Sequence, residues 1–216
     1  RFVAMSEIGE SFGTLQELID AGPEAWARVR AQAAGIVGGS PLSEAGYAPA
    51  VLAPPIVLAV GLNYDEHASE LNLDNDSGPV LFSLFPNSLN AHQQEVPLPM
   101  HLSEEIDYEG ELGVIIGRAA KDVRPEDALD HVFGYTVVND ITARNIQFSE
   151  PQWSRCKSFD GFTPVGPVVV TADEIPDPHD LHLTTDVDGL RVQDSSTKFM
   201  IRSVPQLIAS ISQSLT

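Results

Sequence analysis

Short runs rich in β-branched residues recur along this chain from position 56 onward, and they constrain the fold more than any other feature of the sequence. Turn residues separate the runs, which is the pattern of short strands. Long helical patterns are sparse between them, so a doubly wound parallel sheet is disfavoured. We predict a β-rich α+β fold, with strands at Ile56–Val60, Val80–Leu84, Leu112–Ile116, Tyr135–Val138, Pro167–Thr171 and Leu181–Val187.

The N-terminal quarter of the chain has a different composition. Residues 14–35 have a helical pattern that Gly22-Pro23 interrupts, and residues 38–55 are rich in Gly, Ser, Pro and Ala. We therefore predict a small N-terminal region with its linker over residues 1–53, and the main domain over residues 54–216. Further helices are predicted at Tyr64–Leu71, Pro125–Leu129 and Val204–Leu215.

The net charge of the chain limits the kinds of partner that it can bind. Twelve basic and 31 acidic residues give a formal charge of −19, a field that repels phosphate backbones and disfavours nucleic acid. No run approaches the roughly 18 apolar residues that a membrane span needs, and the N-terminus lacks the pattern of a signal peptide. A single cysteine, Cys156, is typical of a reducing compartment. We expect a cytoplasmic protein with neither a membrane nor a nucleic-acid partner.

The segment Asp107–Gly117 is the most informative for chemistry. Residues two apart on a strand share a face, so Glu109 and Glu111 would lie side by side and repel each other unless a cation or a proton intervenes. Hard divalent cations prefer such carboxylate oxygens. A solvated acidic face would give the same spacing. Asp140 follows an apolar strand and is either a third ligand or a helix cap.

Two further segments carry candidate catalytic groups. His67 and Glu70 are three apart on a predicted helix, where the carboxylate would raise the basicity of the imidazole and suit it to act as a general base. A surface His–Glu pair would look the same. Lys157 lies in an aromatic- and proline-rich segment and would pair with a carboxylate or an oxyanion, although such a lysine is more often simply exposed.

The order and context of these motifs resemble the fumarylacetoacetate hydrolase family over residues 54–216. The similar segments are Gly61–Glu70, Asp107–Gly117, Gly134–Gln147, Trp153–Pro167, Asp173–Pro178 and Gln193-Asp194-Ser195.

The resemblance implies a role for each matching residue. Mg²⁺ or Mn²⁺, with Ca²⁺ as a substitute in crystals, would be bound by Glu109, Glu111 and Asp140. Water would be activated by His67 with Glu70. The bound 2-oxo acid would be contacted by Lys157, which also counts as catalytic, and by Arg144 and Gln147. We expect the three metal-binding carboxylates to converge within one coordination shell.

The resemblance also implies a mixed β-sandwich or β-roll, a homodimer, and catabolic chemistry on a small anionic 2-oxo acid such as an aromatic-ring breakdown product. The leading prediction is Mg²⁺-dependent hydrolysis of a C–C bond in an acylpyruvate-like 2,4-dioxo acid. Decarboxylation, isomerisation, hydration or tautomerisation of a related 2-oxo acid is the close alternative. A catalytically silent metal-binding relative is the third.

Two departures from the family pattern bear on function. Leu84 stands where many relatives carry lysine, and loss of that charge would either change which distal substrate group is accepted or weaken activity. Relatives also continue past the position of Thr216 into a further strand and loop, so we expect that segment to be missing here.

Overall fold

The strands of the chain form small, mostly antiparallel sheets. The structure, a computed structural model, describes residues 1–64 and 78–216. Within those residues the strands make one three-stranded sheet and four two-stranded sheets, of which the β3–β8 pair is parallel. The strands are β1 (Leu58–Gly61), β2 (Val80–Ser83), β3 (Leu89–Asn90), β4 (Ile106–Asp107), β5 (Gly110–Ile116), β6 (Val132–Asn139), β7 (Thr142–Ala143), β8 (Thr163–Pro164), β9 (Val170–Thr171), β10 (His182–Val187) and β11 (Leu190–Ser196).

The helices are short and lie around these sheets. Those of the described residues are α1 (Leu15–Asp20), α2 (Pro23–Ala33), α3 (Arg144–Ser149), α4 (Ser154–Lys157) and α5 (Val204–Ser212), with 3₁₀ turns at Met5–Ile8, Leu42–Glu44, Pro86–Ser88, Pro125–His131, Ala172–Glu174 and Thr197–Phe199.

The local sequence explains where the longer helices begin. Pro23 occupies the first turn of α2, where its missing N–H costs no hydrogen bond. The side chain of Ser203 accepts from the N–H of Gln206 at the start of α5, and the side chain of Gln206 accepts from Ser203 N–H in return.

The three-stranded sheet, in the order β5-β6-β9, organises the main domain. Gly110 pairs with Asn139 and Val114 with Tyr135 across the β5–β6 ladder, and the register shifts between Ile115 and Ile116. Because of this shift, Phe133 is an extra residue on β6 and faces the opposite side of the sheet from Tyr135.

Helices therefore cover both faces of the sheet. One core cluster joins Val132 and Tyr135 to Val204 and Ile208 of α5, with Leu112 and Val114 packed against it. A second cluster joins Phe133 to residues of α1 and α2, and the ring of Trp26 meets Phe133 edge-on with centroids 5.0 Å apart. The N-terminal helices thus share a core with the sheet, while the division at residue 53 stays a prediction.

Asn63, which follows β1, links distant parts of the chain. Its side-chain Nδ2 donates to the carbonyl of Arg202 at 2.9 Å, and its Oδ1 accepts from Arg202 N–H at 3.0 Å. The backbone carbonyl of Asn63 accepts from Ile201 N–H at 2.7 Å. The chain entering position 64 is therefore fixed to a segment 139 residues later.

The predicted β-rich α+β class is confirmed. The predicted strands have observed counterparts, and the helical pattern of residues 14–35 divides into α1 and α2 at Gly22. The helix predicted at Tyr64–Leu71 lies almost wholly outside the described residues. In the described residues, no helix has the length and apolar character required to cross a membrane.

Candidate active site

The β5–β6 ladder places two of the predicted metal-binding residues next to each other. Glu109 immediately precedes β5 and Asp140 immediately follows β6. The N–H of Asp140 donates to the carbonyl of Glu109 at 2.8 Å, and the N–H of Glu109 donates to the Asn139 side chain at 3.1 Å. Two acidic residues 31 positions apart in sequence are therefore held side by side by their backbones.

Lys157 lies between these two carboxylates. It is the last residue of α4, which packs through Cys156 against Ala143 and Ile146. Its side chain is only 2% exposed. The ammonium Nζ donates to Glu109 Oε2 at 2.9 Å and Asp140 Oδ2 at 2.7 Å.

The third hydrogen of Lys157 is directed at Thr142 Oγ1, 2.8 Å away. The Thr142 hydroxyl in turn has two acceptors within reach, Glu109 Oε1 at 3.1 Å and the carbonyl of Asp140 at 2.9 Å. Burial alone would lower the pKa of Lys157, but the charges and hydrogen bonds of Asp140 and Glu109 outweigh it and raise the pKa. The lysine is therefore a buried, charged bridge.

Arg144 holds the other oxygen of Glu109. Its Nη1 donates to Glu109 Oε1 at 2.7 Å and to Gln147 Oε1 at 2.8 Å, while its Nε donates to Asp107 Oδ2 at 2.8 Å. Burial opposes the charged form of Arg144, and Glu109 and Asp107 raise its pKa in spite of that. Arg144 and Gln147, predicted to bind substrate, thus lie directly behind Glu109.

The cluster keeps an excess of negative charge. Burial, followed by the charges of Glu109 and Asp140, raises the pKa of Glu111 to about 8, although Lys157 opposes the shift. Burial is also the main reason that the pKa of Asp140 is raised to about 6, against the lowering effect of Lys157. In both carboxyl groups the loss of hydration outweighs the effect of the local cations.

An unsatisfied oxygen identifies where a further positive group would bind. Asp140 is 6% exposed, and its Oδ1 accepts no hydrogen bond within the described residues. A buried carboxylate oxygen without a partner is costly. Carboxylate oxygens are also the donors that Mg²⁺ and Mn²⁺ prefer. The residue types and their excess negative charge therefore fit a divalent cation.

The three carboxylates do not already form a complete coordination shell. In the described part of the chain, no group of three or more His, Cys, Asp or Glu side chains is arranged to hold a metal ion. The expected convergence of Glu109, Glu111 and Asp140 is therefore not met in this geometry. In this geometry the Lys157 ammonium instead bonds one oxygen of Glu109 and one of Asp140.

Two residues of the predicted site are not among the described ones. His67 and Glu70 lie outside the described residues, so their pairing as a catalytic dyad stays a prediction. Tyr64, just before them, is described. Its hydroxyl is buried and has no hydrogen-bond partner among the described residues. Burial and then the charge of Glu111 raise the pKa of Tyr64, which places this hydroxyl near the carboxylate cluster.

Sequence reasoning missed Asp107, Thr142 and Tyr64 as members of the site. A signal was present for the first two, because Asp107 is two residues from Glu109 and Thr142 two from Asp140, the spacing that shares a strand face.

Leu84, noted as a departure from the family, is buried at 6% exposure. The neighbouring Phe82 ring has Lys157 Nζ 5.5 Å from its centroid. An apolar wall therefore lies beside the ammonium.

Comparison with known proteins identifies the class to which this site belongs. The sequence pattern described as fumarylacetoacetate (FAA) hydrolase C-terminal matches residues 56–216. That match spans well over half of the chain and includes Glu109, Glu111, Asp140 and Lys157. The chain belongs to the fumarylacetoacetate hydrolase family, and the predicted family resemblance is confirmed.

Individual relatives differ in the reactions that their names describe. The chain is 40% identical over 178 residues to human mitochondrial oxaloacetate tautomerase FAHD2A, covering 82% of this chain. It is 44% identical over 161 residues to 2,4-didehydro-3-deoxy-L-rhamnonate hydrolase from Sphingomonas sp. (strain SKA58), covering 74% of this chain. The chain spans 56% of the length of each of these two relatives.

A solved structure supports the fold. Maleylpyruvate hydrolase from Sphingobium sp. SYK-6, in complex with manganese (II) ion and pyruvate, matches with a TM-score of 0.81 at 26% identity. The match covers 98% of this chain and 76% of that one. Members of the family are named as hydrolases, isomerases and tautomerases, and one of them has been solved in complex with manganese (II) ion.

Proposed function

We propose that this protein is a Mg²⁺-dependent hydrolase that cleaves a C–C bond in a small acylpyruvate-like, 2,4-dioxo acid. The observation that carries the proposal is the buried Lys157 bridge between Glu109 and Asp140, beside a Glu111 whose pKa is raised to about 8. Such a concentration of buried carboxylates is unfavourable unless bound cations compensate their charge. Relatives named as hydrolases support the reaction class.

The metal would be held by Glu109, Glu111 and Asp140, with the unsatisfied Oδ1 of Asp140 as one donor atom. A bound Mg²⁺ or Mn²⁺ supplies Lewis-acid stabilisation for negative charge on the carboxylate and 2-oxo oxygens of the substrate. It also supplies local positive charge, which an anionic substrate requires in a protein of charge −19.

Lys157 would serve this site through its neighbours. Its three hydrogens are directed at Glu109, Asp140 and Thr142, so it favours the ionised form of both carboxylates and fixes their orientation. Direct contact with a 2-oxo acid, as proposed from the family resemblance, requires one of these acceptors to be exchanged for a substrate oxygen. Arg144 and Gln147 would keep Glu109 in place meanwhile.

The proposed reaction consumes one water molecule and needs no other reactant. His67, assisted by Glu70, takes a proton from water, and the hydroxide attacks the 4-oxo carbon. The bond between C3 and C4 then breaks, and its electron pair passes into a pyruvyl enolate. The proton that His67 took from water then passes to C3, which yields pyruvate and the carboxylic acid. These roles of His67 and Glu70 rest on the sequence resemblance.

The second candidate function is a reaction that forms the same enolate but involves no attack by water. The human relative is named as an oxaloacetate tautomerase, and tautomerisation, isomerisation or decarboxylation of a 2-oxo acid needs the same enolate. The buried, uncharged Leu84 is the feature of this chain that favours a different distal substrate group. A site that binds metal without catalysis is the remaining alternative.

Ultraviolet absorbance of an acylpyruvate enol tests the proposal. Mixed with the protein and Mg²⁺, the enol should lose absorbance as pyruvate appears, and EDTA should stop the loss. Glu111→Gln should abolish the reaction, whereas Asp186→Asn, on the exposed β10–β11 hairpin, should leave it intact. Tautomerisation of oxaloacetate or release of carbon dioxide from it, without acylpyruvate cleavage, would establish the second candidate.

Two predictions about the whole protein accompany this function. A homodimer is expected from the family resemblance, and light scattering on the purified protein measures it. The cytoplasmic location is expected from the single cysteine; the human relative is named as mitochondrial.

A further inference from the structure

The strand that carries the proposed metal ligands is supported from behind by the β10–β11 hairpin. Glu109 and Glu111 flank Gly110, which faces the other side of the strand. A Cβ atom at Gly110 would collide with Thr185 Oγ1 and would stand 2.9 Å from Gln193 Oε1. Only glycine therefore permits the hairpin to approach the strand this closely.

Gln193 bonds both backbone groups of Gly110. Its Nε2 donates to the Gly110 carbonyl at 2.8 Å, and its Oε1 accepts from Gly110 N–H at 3.0 Å. Because β5 is the outer strand of its sheet, this carboxamide takes the place of a neighbouring strand at that position. The hydroxyl of Thr185 also donates to Oε1, at 2.7 Å, and so fixes which way the amide faces.

The two bonds reach the two carboxylates through planar peptide groups. The N–H of Gly110 belongs to the peptide plane that includes Cα of Glu109, and its carbonyl belongs to the plane that includes Cα of Glu111. Glycine is the residue with the greatest freedom to rotate these planes. A single side chain, Gln193, therefore restrains both peptide planes of the glycine that separates the two proposed ligands.

We propose that Gln193 is a positioning residue that sets the relative placement of Glu109 and Glu111 for binding a divalent cation. This inference rests on the proposed function, because it assigns a role toward the same metal. The role acts through the backbone of Gly110, and Thr185 contributes to it by orienting the amide. It gives a function to the segment Gln193-Asp194-Ser195, which the site itself does not use.

Binding of Mn²⁺ to the metal-free protein tests the role directly. Free Mn²⁺ is measured by electron paramagnetic resonance during a titration, and the thermal midpoint of each metal-free variant is measured in parallel. Gln193→Met should weaken Mn²⁺ binding by about 10- to 100-fold, the range for residues that orient metal ligands. Gln206→Met is the control, because the Gln206 side chain also accepts from a backbone N–H, that of Ser203 at the remote start of α5.

The control separates positioning from general stability. Weaker Mn²⁺ binding in Gln193→Met, with Gln206→Met binding as the wild type does, supports the proposal. Unchanged Mn²⁺ affinity in Gln193→Met overturns it, whatever happens to the thermal midpoint.

A second variant decides the matter if Gln193→Met does not fold. Thr185→Val removes only the hydroxyl that orients the amide, and it should weaken Mn²⁺ binding about threefold, near the lower end for one neutral hydrogen bond. Wild-type affinity in Thr185→Val would then overturn the proposal. Absence of Mn²⁺ binding in the wild type would instead overturn the proposed metal site, and the positioning role with it.

Discussion

The Lys157 cluster and the β10–β11 hairpin both contain networks of acidic and basic side chains, but they differ in exposure. The Lys157 cluster consists of Lys157 with Glu109, Glu111, Asp140, Thr142 and Arg144. On the hairpin, Arg191 bonds Asp186 and Asp194, and His182 bonds Asp194 at 2.6 Å. The side chains of His182 and Asp194 are 66% and 57% exposed, whereas that of Lys157 is 2% exposed.

Exposure reverses the effect of the network on its carboxylates. The hydrogen bond from His182, with the charges of His182 and Arg191, lowers the pKa of Asp194. In the buried cluster, loss of hydration outweighs the cations and raises the pKa of Glu111 and Asp140. The number of ion pairs therefore does not predict in which of the two regions the carboxyl pKa values are lowered. Four variants or conditions test this difference.

The largest effect should follow removal of the buried cation. Lys157→Met would leave Glu109 and Asp140 facing each other in a poorly hydrated space. Breaking one side of a buried ion pair costs about 3–5 kcal/mol, and we expect a loss of that size in the free energy of unfolding, measured with urea in the absence of metal. A loss comparable to that of an exposed ion pair would contradict the comparison.

A bound divalent metal should offset part of the carboxylate charge in the wild type and so stabilise the fold. At a Mn²⁺ concentration 100 times its Kd, the free energy of unfolding should rise by about 2.7 kcal/mol. Glu111→Gln should remove most of this gain, whereas Asp194→Asn on the hairpin should preserve it. Equal gains in both variants would mean that Mn²⁺ binds elsewhere.

A neutral member of the buried cluster should have an intermediate effect. Thr142→Val keeps the side-chain shape but removes the oxygen that accepts from Lys157 Nζ. A buried donor left unsatisfied costs about 1–3 kcal/mol, and the urea midpoint should fall accordingly. Thr184→Val, on β10, is the control for the same substitution on a strand outside the cluster. Equal losses in the two variants would remove any special role for Thr142.

The smallest effect should come from the hairpin. Arg191→Ala breaks contacts with Asp186 and Asp194 that are open to water and screened by salt. The urea midpoint should stay within measurement error of the wild type at physiological salt. A measurable fall would show that the exposed network stabilises the hairpin.

The sequence predicted the parts of the molecule that depend on local pattern. The β-branched run after Gly110 predicted β5, and the break at Gly22-Pro23 predicted the start of α2. The spacing of Glu109 and Glu111 indicated a shared strand face. By contrast, β11 was missed because Arg191, Gln193 and Asp194 give it a polar sequence with little alternation.

The arrangement of the site depends on contacts that no local pattern contains. Lys157 lies 48 positions from Glu109, and its four-residue helix is too short to leave a periodic signal. A lysine in such a segment is usually exposed, so its burial could not be predicted. The family resemblance named Lys157 as a functional residue, but its bridging of Glu109 and Asp140 required the three-dimensional structure.

The link from Asn63 to Arg202 has a consequence for how the chain folds. Contacts between residues far apart in sequence form slowly, because the intervening chain must first lose its freedom. During synthesis, Asn63 emerges long before Ile201 and Arg202, its hydrogen-bond partners. We therefore expect Asn63 and Tyr64 to take their final positions late, after the β5–β6 ladder has formed. In a refolding experiment, native tertiary signals from Tyr64 should lag behind the recovery of β-sheet.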